Sequence, residues 1–389
     1  MGKILFLEWK SFGNDFIIAE FNRMGYEIEC FDFPRETENI RNGSQLTEQI
    51  AKTILAGCPQ FVFSFNYYPV AAIACKACRV KYVSWVYDSP YILMYSQTAL
   101  FDTNRIFVFD SYEVERLRAL GVKHAYYLPM GAAISYYDKM IPGKKEHERF
   151  DSDVTFVGSM YCEHKHYMFR HLEHVDAYTR GYLDAIMQAQ KSLYGVDILE
   201  PSLTPEIVAN MKKVCPVEAN GDGMETAEWT FANYFLARKV TQMERRELLE
   251  ALSEHFSVKL FTHEETPFLP KIQNCGKLDY YSDMPYAFKC AKVNLNISLR
   301  SIHSGMPLRA LDILGCGGFL ISNYQSDFDA YFTAGEDYVY YDGKENLIEL
   351  VSYYLQHEEE RKRIAQNGYR KAKEKLSYSG QVEKMFEYI

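Results

Sequence analysis

Short apolar runs alternate with helix-periodic stretches through the first third of the chain. Residues 3–7 form an apolar run, 13–24 repeat apolar positions at helical spacing, and Gly25 supplies a stop. The alternation continues with a strand pattern at 26–33, a helix at 45–56, a run at 61–65 and a helix at 70–79. Strands at 82–87 and 105–109, a helix at 112–120 and a strand at 125–128 complete it. Strands that are apolar throughout are covered on both faces, as in a parallel sheet flanked by helices. Ligands of such a doubly wound sheet bind beyond the carboxyl ends of the strands.

The pattern then breaks. Residues 135–153 are polar and charged, are interrupted by Pro142-Gly143, and read as a linker. A second strand-and-loop start follows in Asp153-Val-Thr-Phe-Val-Gly158-Ser159-Met160. Helical patterns fill 167–193, 205–214 and 225–255 before strands resume at 257–261, 293–297, 319–322 and 338–341. Helices at 345–357, 358–375 and 380–388 close the chain. Two α/β halves are expected, 1–140 and 150–377, the second carrying a helical insertion at about 165–255.

A length of 389 residues suits two domains of about 100–200 residues each. A net charge of −9 argues against a nucleic-acid partner, which calls for a basic balance. Nine cysteines without disulfide spacing point to a reducing cytoplasm, and the single Cys75-x-x-Cys78 pair reads as part of an Ala-rich helix. The start Met1-Gly-Lys-Ile-Leu-Phe-Leu is too short for a secretory apolar region, and no run nears the ~18 residues of a membrane span. At most a peripheral membrane contact is expected. The 31 Tyr and 25 Phe suit either a sugar-binding cleft or simply a large core.

The richest stretch is Ser304-Gly305-Met-Pro-Leu-Arg309-Ala-Leu-Asp312-Ile-Leu-Gly-Cys-Gly317-Gly318-Phe-Leu-Ile-Ser-Asn323. Pro307 suits a first helical position, where a missing N–H costs nothing. Arg309 and Asp312, three apart, share one face of the helix. A helix N-terminus favours anions, so the two side chains there could hold a phosphate and a sugar hydroxyl. An ordinary intrahelical ion pair accounts for them equally well.

Five segments in chain order carry a family likeness: Ser84-Trp-Val-Tyr-Asp88-Ser89-Pro90, Ile106-Phe-Val-Phe-Asp110, Tyr127-Leu-Pro-Met-Gly131, Phe156-Val-Gly158-Ser159 and 304–323. Together they resemble the CgeB-like (spore-maturation-type) group-1 glycosyltransferases, with 304–318 the most specific segment. The resemblance implies the GT-B fold, two Rossmann-like doubly wound domains facing a central cleft, with the last helix, 378–389, packed back on the first. It implies transfer of a sugar from a nucleotide-sugar bound to the second domain. The acceptor would be a protein, a cell-wall or spore glycan, or a lipid-linked intermediate, with neither metal nor other cofactor required.

Carried over by position, Gly158 and Ser159 would form the glycine loop under the donor diphosphate. Arg309 would bind the diphosphate, helped by Arg300 or Lys165. Asp312 stands where related enzymes have a ribose-binding glutamate. Ser304, between His303 and Gly305, replaces a second glutamate near the donor sugar. That replacement motivates an alternative, a catalytically silent GT-B scaffold that binds a nucleotide-sugar or a partner protein. A GT-B-like epimerase or phosphorylase is a further possibility within the enzymes.

Negative charge building on the leaving phosphate needs a cation where no metal serves, and a guanidinium fork fits it best. An inverting enzyme also needs a base, and Asp88 at a strand end is the candidate, though it could equally cap the turn before Ser89. Asn66 and Tyr67 follow another strand end and would floor the acceptor site, or form a plain aromatic loop. Asp110 reads as a helix cap. The histidine-rich stretch 163–174 lacks HExxH spacing, and phosphate contact from Lys165 or His164 suits it better than zinc at His171 and His174. No G-x-G-x-x-G follows either first strand, which disfavours a dinucleotide cofactor.

Overall fold

A computed structural model describes residues 2–162 and 167–389. The chain divides into two compact units. Unit 1 comprises residues to Gly131, the segment Ala219–Glu225 and the tail Leu376–Ile389; unit 2 comprises Ala132–Glu218 and Thr226–Lys375. The division thus falls ahead of the polar segment read as a linker. That segment instead forms the helices Ile134–Tyr137 and Lys144–Phe150 within unit 2. The second of these, Lys-Lys-Glu-His-Glu-Arg-Phe, buries only Phe150, so no apolar stripe announced it.

Unit 1 is a six-stranded parallel sheet of β1 (Lys3–Glu8), β2 (Glu27–Asp32), β3 (Phe61–Phe65), β4 (Lys81–Val86), β5 (Asn104–Val108) and β6 (Ala125–Tyr127). Its order is β2-β1-β3-β4-β5-β6. The central β3, Phe-Val-Phe-Ser-Phe, is buried at every position, as a strand covered on both faces must be. The tail helix Tyr378–Phe386 covers the aromatic face formed by Phe21, Phe61 and Trp85 through Phe386 and Tyr378.

Unit 2 holds β7 (Ser152–Val157), β8 (Val258–Phe261), β9 (Gln273–Asn274), β10 (Ala291–Asn296), β11 (Leu320–Asn323) and β12 (Val339–Tyr341). They are parallel, in the order β12-β11-β10-β7-β8-β9. Numbered from β7, this is the 3-2-1-4-5-6 order of a dinucleotide-type Rossmann sheet, whose switch point lies between β7 and β10.

The helical insertion keeps an apolar cluster of its own, including Leu183, Met187, Met211, Phe231 and Phe235. The single helix expected at 225–255 is broken in the structure. Ala227–Thr230 is α-helical, Phe231–Leu236 is one π-helical stretch, and Ala237–Ser253 resumes the α-helix. No helix among the described residues is long and apolar enough to cross a membrane.

Candidate nucleotide-binding site

The switch point of unit 2 is built by the loop after β7 and the residues after β10. Gly158 directly follows β7, and its N–H donates to the Phe261 carbonyl, 3.0 Å away. A Cβ on Gly158 would stand 2.8 Å from the Arg309 guanidinium and 3.3 Å from the Phe156 ring, so glycine is what lets the arginine approach. The loop that follows is held by a buried carboxylate. Glu264 accepts from the Ser159 hydroxyl at 3.0 Å, from the Cys162 N–H at 2.8 Å and from the Met160 N–H.

Arg309 lies in the first turn of the helix Leu308–Gly315, with Pro307 as its N-cap. Its Nη1 donates to Asn296 Oδ1 at 2.9 Å and reaches the Ile297 carbonyl at 3.4 Å. Beside it lies a second arginine. Arg245, 1% exposed, donates from Nε and Nη2 to that same Ile297 carbonyl at 3.2 and 2.6 Å, and from Nη1 to the Ser159 carbonyl. Both guanidiniums lie over Phe156, at 5.1 and 4.9 Å from its ring centroid.

Among the described residues neither arginine forms an ion pair with a carboxylate. The neighbouring Glu244 is taken by Arg300, at 2.8 Å. Burial, and after it the like charge of Arg245, pushes Arg309 down to about 9; burial also lowers Arg245. Arg245, buried, and Arg309, half-buried, are two cations close together, bonded to carbonyls, the Asn296 amide and the Tyr161 side chain, and they make a local excess of positive charge. An anion of two charges would relieve it.

Sequence reasoning missed Arg245 and Glu264. The signal for Arg245 was available. In the helix Ala237–Ser253 the buried positions are Ala237, Val240, Thr241, Glu244, Arg245, Leu248, Leu249 and Leu252, so two charges interrupt an otherwise apolar stripe. Glu264 offered no such cue, because it caps a loop about a hundred residues away in sequence.

Several expected site residues are placed otherwise. Arg300 is largely engaged within the fold: its side chain is 7% exposed, paired twice with Glu244, and donates to the Leu193 and Lys191 carbonyls, while it also lines the small cavity at the carboxyl ends of β10 and β11. Asp312 is 1% exposed, and its Oδ1 accepts from the Tyr137 hydroxyl at 2.6 Å and the Tyr280 hydroxyl at 3.3 Å. Burial pushes its carboxyl up to about 7, against the lowering effect of those two hydroxyls and of Arg309. It therefore presents no open carboxylate to a ribose. Ser304 and Gly305 are buried ahead of the helix. The Ser304 carbonyl accepts from the Asp327 N–H at 3.0 Å. His303 is half-buried, 3.3 Å from Asn233 Oδ1. Lys165, with His164, lies outside the described residues.

In unit 1, Asp88 follows β4 and is more than a decorative cap. Its Oδ2 accepts from Asn66 Nδ2 at 2.8 Å and from Arg35 at 3.2 Å. Arg35 in turn stacks on Trp9, 3.9 Å from the ring centroid. Asn66 is fully buried, with φ +60, and its Oδ1 takes the N–H groups of Tyr87 and Asp88. It positions Asp88 rather than flooring an acceptor. Tyr67 is fully buried too, its hydroxyl 2.8 Å from Thr98, and cannot reach an acceptor. Ser89 is half-buried next to Asp88. Asp110 caps the helix Ser111–Ala119 through the Tyr112 and Glu113 N–H groups.

A cavity of about 590 Å³ lies elsewhere, at the amino ends of β7, β10 and β11. A water-sized cavity of about 20 Å³ lies at the carboxyl ends of β10 and β11, lined in part by His303, Ser298 and Asn323. Topology, not size, decides between them: ligands of this sheet type bind at the carboxyl ends.

Comparison with known proteins agrees with the topology. Residues 238–387 match the family model described as glycosyl transferase-like. No curated protein matches the sequence. Among solved structures, the chain is similar to Anabaena HepE in complex with UDP-glucose, at TM-score 0.55 and 11% identity, over 100% of this chain and 99% of HepE. It is similar to the sucrose-phosphate synthase of Thermosynechococcus elongatus, at TM-score 0.53 and 9% identity, over 100% and 98%. It is also similar to T4 phage BGT in complex with UDP-glucose, at TM-score 0.50 and 11% identity, over 100% and 98%. At these identities the likeness is one of fold. The two parallel sheets are the Rossmann-like halves of a GT-B architecture.

Proposed function

We propose that the chain is a nucleotide-sugar-dependent glycosyltransferase of the CgeB-like kind, with the donor diphosphate held at Arg309 and Arg245 beside the Gly158 loop. One observation carries the reading: two adjacent guanidiniums, Arg245 buried and Arg309 half-buried, with no ion-paired carboxylate among the described residues, at the switch point of a Rossmann sheet. The match of 238–387 to a glycosyl transferase-like family supports it, and so does the binding of UDP-glucose by HepE and T4 phage BGT, which share the fold. In glycosyl transfer the bond to the anomeric carbon breaks and its electron pair stays on the diphosphate. The paired arginines would receive that charge without a metal, and they are fixed beforehand by Phe156, Asn296 and the Ile297 carbonyl.

Asp88 is the candidate base for the acceptor hydroxyl. Arg35 and the Asn66 amide hold it in place. The acceptor would be a protein, a cell-wall or spore glycan, or a lipid-linked intermediate, met in the cytoplasm. The second reading, a silent binder of the same donor, rests on Ser304 in place of a carboxylate.

A thermal-shift series with UDP, GDP, TDP and CDP and their sugars, without added metal, tests the site. One base should stabilise the native state, by about 2.7 kcal/mol at a hundredfold excess over Kd. Arg309→Ala should abolish the shift while the apo protein still melts cooperatively. An undiminished shift in that variant overturns the placement of the diphosphate. With the donor identified, Asp88→Asn should keep the shift and lose sugar transfer, in EDTA as without it. Donor binding with neither transfer nor donor hydrolysis by the wild type would select the silent binder.

A further inference from the structure

The large cavity at the amino ends of β7, β10 and β11 has no part in the chemistry above, and its wall has a composition of its own. The helix Lys144–Phe150 brings His147 to this edge, and Asp151, its C-cap, follows four residues later on the same side. The helix Met284–Cys290 ends at the cavity with Cys290. The two helices are held together by a bidentate pair, Arg149 to Asp283, with both bonds 2.9 Å long. One ligand atom from each of His147, Asp151 and Cys290 lies within 4.8 Å of the others. His147 Nδ1 and Asp151 Oδ1 are 2.8 Å apart.

These three groups do not resemble a chance surface cluster of acids. Cys290 is 9% exposed, and its thiol forms no hydrogen bond among the described residues. A thiol, an imidazole and a carboxylate from two braced helices are the donor types that zinc takes. We propose that His147, Asp151 and Cys290 form a zinc site, with the fourth position open to the cavity.

Zinc bonds of about 2.0–2.3 Å set ligand atoms about 3.3–3.7 Å apart in a tetrahedron, so the widest spacing must close by roughly an ångström. Exposed His147 and Asp151 can make that adjustment by side-chain rotation. Binding replaces the thiol proton with the metal and releases that proton to solvent. The thiolate and the Asp151 carboxylate then balance the two charges of the ion. Of the four Lys and Arg that line the cavity, Lys292 is paired with Asp153 at 2.8 Å, Lys362 with Glu358 at 2.6 Å, and Arg361 donates to the Tyr354 carbonyl at 2.7 Å; Lys289 is the fourth. The metal would clip the two helices beneath the strands whose far ends carry Gly158 and Ile297.

The test is direct. Protein stripped with a chelator and desalted is titrated with zinc in competition with a chromophoric zinc indicator. Cobalt(II) is then added in place of zinc to read a thiolate-to-metal charge-transfer band. One equivalent per chain and that band are expected. Cys290→Ser should abolish the band, and His147→Ala should weaken binding by more than the ~10–100-fold that losing an outer-shell partner costs. His147 is exposed, so its variant tests the site without endangering the core. The double variant His171→Ala/His174→Ala should bind as the wild type does. Absence of a tight equivalent, a cobalt spectrum without a thiolate band, or unchanged zinc affinity in His147→Ala would each overturn the site.

Discussion

Arg309 and Asp312 sit one helical turn apart, and the spacing alone leaves a pair serving one ligand and an ordinary intrahelical ion pair equally open. Burial separates their fates. Arg309 turns toward Gly158 and Asn296, whereas Asp312 turns into the fold toward Tyr137 and Tyr280. Tyr137 is 175 residues away in sequence, and no local pattern could name it as a partner. The carboxyl of Asp312 stands at about 7, against 3.8 ordinarily, so the folded protein holds that proton more tightly than the unfolded chain does. Its stabilising contribution is therefore complete below about pH 4 and is lost as pH rises toward 7. Asp312→Asn keeps an oxygen for the Tyr137 hydroxyl and removes the titration. Denaturant melts at pH 4 and 8 should show the variant gaining on the wild type, by at most on the order of 4 kcal/mol. Parallel pH–stability curves for the two proteins would show that Asp312 titrates normally.

At the scale of elements, what could be read was what periodicity records. Strands covered on both faces are largely apolar runs, which is why β3, β4 and β7 were visible, whereas β10 showed only as Val293 and Leu295 alternating with the buried Asn294 and Asn296. β9 was not, because Gln273–Asn274 is two exposed polar residues. The π-helical Phe231–Leu236 was hidden as well, since one extra residue per turn barely disturbs an apolar stripe. The helix Ala237–Ser253 carries the clearest local conflict, Glu244 and Arg245 on its buried face. Arg245 serves the proposed site, and Glu244 neutralises Arg300 while accepting from Tyr194 at 2.8 Å. Glu244→Gln strands the buried Arg300 charge and should cost about 3–5 kcal/mol in chemical denaturation. Replacing both as Glu244→Leu/Arg300→Met should recover most of that loss. A single variant within about 0.5 kcal/mol of wild type would mean that water reaches the pair.

At the scale of the whole molecule, the chain changes unit four times. Polarity read the segment after residue 135 as the junction, but charge on a surface helix and charge on a linker look alike in sequence. The segment Ala219–Glu225, expected within the second half, belongs to unit 1. There Asp222 pairs with Arg41 at 2.8 Å and its carbonyl accepts from the Gln97 N–H. The tail is bound as firmly. Gln381 donates to the Pro129 carbonyl, Arg105 to the Tyr388 carbonyl, and Met385 is fully buried. A chain stopped at Lys375 should lose the cooperative melting of unit 1 while unit 2 keeps its nucleotide response. Calorimetry would read this as one transition lost and one retained. Two retained transitions would reduce the tail to a surface ornament.

That tail also sets an order of assembly during synthesis. The strands of unit 1 leave the ribosome before unit 2, yet the helix that covers their aromatic face is made after it. At about 5–20 residues per second, the roughly 250 residues between Gly131 and the tail take on the order of 10–50 s to appear. For that interval Phe21, Phe61 and Trp85 lack their cover, and unit 1, begun before unit 2, is completed after it.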